Sequence, residues 1–302
     1  MLEVDKQTVL WASVGCFLAS GIWGAFWIPL RYIHGLGLSG PWTLFFLGAI
    51  TTLVLSPLFV LRWQIWRPQL RLILFAGLLT SIPFTCYNLA LIYTTVLKAT
   101  FLFYLTPVWS SILAYIVLRE AIHGKRMLAI VLGLSGLLIM LIGEDSWLPL
   151  PQNFGDWVAL ISGLGWAGAA VLLRKEGELA PIDTILTSNL CSALVVLPLA
   201  LIFFPVSVEL MLSLDWARLG PALVIMAVVL GAPSFYVIVW AAQRISPGRI
   251  GILMMSEVLV AAVTAGLLLD EPFGIKEIVG GGLIVVAGLI EVLDGGQSNE
   301  VI

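Results

Sequence analysis

Apolar runs of about twenty residues recur along this chain, separated by short polar connections, and that recurrence limits what it can fold into. An early run, "ASVGCFLASGIWGAFWIPL" (12–30), carries no charge. A late one, "ILMMSEVLVAAVTAGLLLDEP" (252–272), carries one acid in its interior, Glu257. In bilayer hydrocarbon every backbone N–H and C=O must be bonded within the protein, so single runs of this kind cross as helices. The length criterion gives about ten spans: 10–33, 41–61, 70–92, 99–118 and 127–143, then 154–173, 182–204, 217–241, 250–269 and 275–293. Only 11% of residues are charged, and mean hydropathy is +1.07. A soluble domain carries about 25% charged residues. The expected fold class is therefore an all-α membrane protein with ten transmembrane helices. Of the two longer connections, 144–156 joins the halves, and 205–219 alternates enough to form an interfacial helix.

Several function classes drop out. No basic cluster extends beyond short loops, so no nucleic acid partner is expected. Cys16, Cys86 and Cys191 lie in apolar runs at spacings that suit neither a metal site nor a disulfide framework. His34 and His123 lie in polar connections. No metal, cofactor or catalytic residue is expected. "MLEVDKQTVLW" lacks a basic leader segment and a small-residue cleavage site, so the first span is expected to be retained.

Positive charge sets orientation. Lys6, Arg62, Arg67, Arg71, Arg119, Lys125, Arg126, Arg174, Lys175, Arg244 and Arg249 fall on the side of the N-terminus. Arg31, Lys98, Arg218 and Lys276 fall on the other. Both termini are expected in the cytoplasm, with Trp63 and Trp66 at the inner interface and Trp147 and Trp216 at the outer one.

The two halves resemble each other. "SGIWGAFWIPLR" (20–31) stands against "SGLGWAGAAVLLR" (162–174), and Pro83 against Pro233. Residues 97–121 pair without gaps with 248–272, so Lys98 matches Arg249 and Thr106 matches Glu257. Five spans per half put the second copy upside down, the inverted repeat of many secondary transporters. The expected domains are an N-terminal five-helix repeat (1–143), a linker (144–153) and a C-terminal five-helix repeat (154–302).

Glu257 is the foremost site candidate, because a central acid costs about 2.5–3.5 kcal/mol on insertion scales. It could bind a cationic group of a substrate or carry a coupling proton; the plainer alternative is a structural carboxyl bonded to a neighbouring helix. Ser256 and Thr264 are its candidate hydrogen-bond partners. In the fourth span Phe101, Tyr104, Val108, Ser111 and Tyr115 share one helical face, and a cavity of aromatic rings and hydroxyls suits an amphiphilic small molecule. Pro83 is expected to kink the third span, with Tyr87 and Asn88 one turn on. Pro233, Tyr236 and Trp240 repeat that arrangement. Asn189 is a weaker polar candidate, and Trp23 and Trp166 occupy matching places in the first span of each half. Glu120, Asp270 and Glu271 read as interfacial charges at span ends. Gly280, Gly281 and Gly282 read as close helix packing, a candidate homodimer contact.

"IWGAFW" (22–27), "YLTPVWSSILAYIVLRE" (104–120) and "SEVLVAAVTAGLLLDEP" (256–272) together resemble the drug/metabolite transporter superfamily, in its EamA-type branch. That resemblance implies export or exchange of small metabolites by alternating access, in the bacterial inner (cytoplasmic) membrane. "GILMMSEVLVA" is similar to the region where threonine/homoserine exporters carry Met-Ser-Met-Glu-Pro, with Glu257 at the glutamate. Val258 stands where the proline would be, whereas Pro107 is kept in the first repeat. The segment from Tyr104 to Pro107 resembles the matching span of the aromatic amino-acid exporter. The leading expectation is an amino-acid exporter. A broad metabolite or drug permease is the alternative, and an intramembrane lipid-active enzyme is a distant third, since no nucleophile–base or metal set is present.

Overall fold

The computed structural model describes residues 5–38, 40–141, 150–268 and 274–293. Trp147, Asp270, Glu271 and most of the expected linker lie outside the described residues. Among those described there is no strand, and helices fill the chain. The first half comprises α1 (Lys6–Gly24), α2 (Trp27–Gly35), α3 (Pro41–Leu55), α4 (Pro57–Leu61), α5 (Trp63–Tyr93), α6 (Val96–Phe103), α7 (Thr106–Leu113) and α8 (Gly124–Leu141). The second comprises α9 (Phe154–Lys175), α10 (Pro181–Phe203), α11 (Val208–Ser213), α12 (Trp216–Val224), α13 (Ala232–Ala242), α14 (Pro247–Met254), α15 (Ser256–Leu268) and α16 (Ile275–Leu293). Eight described helical stretches are long and apolar enough to cross a membrane. Two expected spans fall short of that standard. Pro41–Leu55 has only 15 residues, and α16 carries Lys276, Glu277 and Glu291. The alternating segment 205–219 holds the short helix α11, whose Val208, Leu210 and Leu212 are exposed.

Local chemistry explains where helices start. The Asp5 carboxylate accepts from the Thr8 amide at 2.7 Å, and Asn153 and Asp156 cap α9 reciprocally. Both satisfy amide groups that a helix start leaves without partners. Proline opens α3, α10 and α14, where its missing N–H does no harm.

Four spans expected as single helices are interrupted: the first between α1 and α2, the second at Ser56 between α3 and α4, and the fourth and the ninth. In the fourth span α6 ends at Phe103 and α7 begins at Thr106. Pro107 has no N–H for the Phe103 carbonyl, and its ring crowds that carbonyl. The Thr106 hydroxyl donates to the same carbonyl at 2.5 Å, replacing the lost bond. A π-helical turn over Ala114–Leu118 follows. Break and turn shift the helical phase, so the expected Phe101-to-Tyr115 face does not exist: Tyr104 is buried, Tyr115 is exposed, and Ser111 meets Gly248. In the ninth span α14 ends at Met254 and α15 begins at Ser256, with no proline at the break. The third span behaves otherwise: α5 continues as helix through Pro83.

The broken stretches of the fourth and ninth spans run in opposite directions side by side. A Cβ on Gly251 would lie 2.9 Å from the Pro107 backbone, whereas one on Gly248 would meet Ser111, further along α7. The same kind of close approach joins α8 to α16: a Cβ on Gly136 would lie 2.4 Å from the Gly280 carbonyl oxygen, and Gly281 faces Leu259. Gly280 and Gly281 therefore pack helices within the chain, whereas Gly282 faces open space.

Candidate functional site

The breaks in the fourth and ninth spans meet at one point. Glu257 lies in the first turn of α15, where the positive end of the helix dipole favours a carboxylate. Tyr104 sits between α6 and α7 with its side chain fully buried. Its hydroxyl lies 2.6 Å from Glu257 Oε2 and 3.2 Å from the Met254 carbonyl oxygen at the end of α14. A phenol has one proton to donate and here faces two acceptors. With Glu257 ionised, that proton belongs to the carboxylate. With Glu257 protonated, the carboxyl can donate to the phenol oxygen, and the phenol proton turns to Met254. The geometry thus allows the phenol to exchange partners with the charge on Glu257.

Tyr87 stands beside this pair. Its hydroxyl is 3.0 Å from Thr100 Oγ1, and its ring lies 4.9 Å from Phe103. Trp23 and Trp166 also converge here. The Trp23 indole donates to Ser234 Oγ at 2.8 Å and the Trp166 indole reaches Met254 Sδ at 3.0 Å. Phe84 lies between them, 5.2 Å from one ring and 5.1 Å from the other, with Phe235 5.9 Å from Trp23 and 5.8 Å from Phe84. These four rings tie α1, α5, α9 and α13 together. Backbone contact is closest at Gly24, where a Cβ would lie 2.2 Å from the Glu257 carbonyl oxygen.

Other candidates are not brought to Glu257. Asn88 and Asn189 each donate to a carbonyl of their own helix, Phe84 and Ile185, at 2.8 Å. Tyr236 is 40% exposed, because α13 turns Phe235, Ile238, Val239 and Ala242 inward. Trp240 carries the Arg244 guanidinium 4.5 Å over its ring, a cation–π contact away from the carboxylate. Ser256 and Thr264 do not bond Glu257 either. Ser256 donates to the Phe17 carbonyl, and Thr264 receives the Trp27 indole at 2.9 Å. Two surface depressions lie near Arg67 and Lys98, and Phe103, Trp166, Phe235 and partly buried Trp23, Phe84 and Tyr87 pack in one cluster with Tyr104.

Phe84, Phe235 and Trp27 went unnoticed in the sequence. A usable signal existed for the phenylalanines, since "SIPF" and "GAPSF" place each just after the matching prolines.

Charged side chains close both ends of the broken stretches. Lys98 Nζ lies 3.6 Å from Asp156 Oδ2, and Asp156 also accepts from the Thr94 hydroxyl. At the opposite end Arg249 and Arg126 reach Glu291 at 3.0 and 3.4 Å, and Arg174 reaches Glu120 at 3.5 Å. Burial pushes the Glu120 carboxyl above its ordinary range, against the pull of these arginines.

A family model for the EamA-like transporter family matches residues 10–142 and again 153–292. A protein described as an uncharacterized transporter, from Archaeoglobus fulgidus, is 27% identical over 275 residues, covering 90% of this chain and 93% of that protein. A solved crystal structure, titled only as that of a protein, superposes with a TM-score of 0.71 at 16% identity, over 96% of this chain and 99% of the other. That likeness concerns the fold. With nearly the whole length matched, and helices of membrane-crossing length throughout, the chain belongs to the EamA-like transporter family of the drug/metabolite transporter superfamily, as a multi-pass membrane transporter of small molecules.

Proposed function

We propose that this protein exports or exchanges amino acids or related small metabolites across the bacterial inner membrane, by alternating access to one site centred on Tyr104 and Glu257. The observation that carries the proposal is the 2.6 Å bond between those side chains at the meeting of two broken helices. Transporter sites are typically built from such discontinuous helices near the bilayer midplane. A carboxylate beside aromatic rings suits a primary amine attached to an apolar body, as in an amino acid. Glu257 then holds either the substrate ammonium or a coupling proton, and Tyr104 senses which.

The proposal includes ten spans in two inverted repeats, 1–143 and 154–302, joined by 144–153, with both termini cytoplasmic. Several findings support the repeat. In the gap-free pairing α6 and α14 end at equivalent residues, Phe103 and Met254. Their starts carry the same cap: the Thr95 hydroxyl accepts from the Lys98 amide, and the Ser246 hydroxyl from the Arg249 amide. The broken stretches run antiparallel, and the family model matches the chain twice. Alternating access follows as a mechanical reading, since similar halves of opposite orientation can exchange conformations.

Uptake of a panel of radiolabelled amino acids into proteoliposomes tests the substrate class. Saturable flux that Glu257→Gln abolishes, in a protein that still folds, is the expected result. Absence of saturable flux for every amino acid, with flux of other solutes in competition assays, would instead favour a broad permease. Unchanged rate and pH profile in Glu257→Gln would remove the coupling role.

A further inference from the structure

We infer that the start of α5 is a binding site for the headgroup of an anionic phospholipid, with the acyl chains lying along the same helix. α5 has 31 residues, about 46 Å at helical rise, whereas bilayer hydrocarbon is about 30 Å thick. Its first turns therefore stand at the membrane interface. There Trp63, Arg67 and Arg71 recur at four-residue spacing and are all exposed, Trp63 at 50%. Leu74, Leu78 and Ile82 continue the same stripe into the apolar part of the helix, also exposed. Helical geometry stacks residues at these spacings on one face.

The chemistry of that face selects its occupant. From Ser56 to Tyr93 the chain contains no acid. Arg62 is taken by Asp183, through contacts of 2.5 and 2.9 Å. Neither Arg67 nor Arg71 forms an ion pair among the described residues, and Glu176 and Glu178, on the turn whose Leu179 packs near Trp66, pair with neither. A depression of about 350 Å³ lined by Trp63, Gln64, Arg67 and Pro68 lies on this surface. Two guanidiniums with no ion pair among the described residues, beside an indole at the interface and with an apolar track below, match a phosphodiester carrying two acyl chains.

Binding of phosphatidylglycerol to the delipidated full-length protein, followed by native mass spectrometry and thermal shift, tests this. Wild type is expected to retain phosphatidylglycerol and gain thermal stability from it, with phosphatidylcholine and glycerol phosphate inert. The Arg67→Gln/Arg71→Gln variant is expected to bind about thirty-fold more weakly, and the Arg67→Lys/Arg71→Lys variant to recover most of the affinity. Exposed Arg218, already paired with Asp215, provides a control whose change to Gln leaves binding intact. Equal binding of the two phospholipids, or a glutamine variant that binds as wild type does, would overturn the inference. A shift reproduced by glycerol phosphate alone would overturn the lipid assignment.

Discussion

Lys98 and Arg249 occupy the same place in the two broken stretches, under the same cap, yet their surroundings differ sharply. Lys98 is 20% exposed and meets Asp156 at 3.6 Å. Arg249 is 1% exposed, meets Glu291 at 3.0 Å, and shares that carboxylate with Arg126, close to Arg174 and Glu120. One backbone device is thus closed lightly at one end and heavily at the other. A buried pair contributes little net energy when intact, but removing one partner leaves an uncompensated charge. Lys98 is partly exposed, and buried Asp156 keeps the Thr94 hydroxyl and the Gln152 and Asn153 amides as donors, so losing Lys98 leaves its charge still compensated. The two ends should therefore separate with very different ease, and under the proposed alternating access that asymmetry bears on which side opens first.

The largest test of this difference is Arg249→Ala, expected to destabilise the protein by about 3–5 kcal/mol in unfolding titrations with a denaturing detergent. A loss below about 1 kcal/mol would abolish the distinction between the ends. Next comes Gly24→Ala, whose methyl would press on the Glu257 carbonyl oxygen. Overpacking there should cost about 1–3 kcal/mol and reduce flux in proteoliposomes, because it displaces the turn holding the carboxylate. Lys98→Met should cost about 1 kcal/mol or less while changing transport rate more than stability. A stability loss equal to that of Arg249→Ala would show that both ends are locked alike. The smallest effect concerns pH. Because burial raises the Glu120 pKa in the folded protein, its contribution to stability is full below the ordinary carboxylate value of 4.5 and is lost as pH rises through the raised value. Glu120→Gln should flatten that slope in unfolding measured between about pH 4 and 8; an unchanged slope would assign it to another group.

The position that distinguishes the halves was visible in the pairing of residues 97–121 with 248–272: Thr106 against Glu257. What each does was not. Thr106 replaces a backbone bond that Pro107 breaks, donating to Phe103, whereas Glu257 faces a phenol across the helix interface. Tyr104 was singled out for its ring in an apolar face, but its hydroxyl needed the break beside it to reach another helix. The ninth span has Val258 where the proline would be, yet it breaks at Met255, with Gly251 pressed against the Pro107 backbone.

The alternation of apolar runs and short charged connections by itself determined a helical membrane protein, because a bilayer leaves a spanning backbone few other ways to satisfy its polar groups. The order of recurring prolines, tryptophans and terminal cations likewise made two similar halves legible. Only the tertiary structure decided that Tyr104 bonds Glu257, that Trp166 reaches Met254 one turn away, and that Asn88 bonds its own helix while Tyr236 is exposed. In a chain where nearly every residue is apolar, hydrophobicity no longer separates inward from outward faces. That choice passes to close packing at glycines and to the few hydrogen bonds that link helices far apart in sequence.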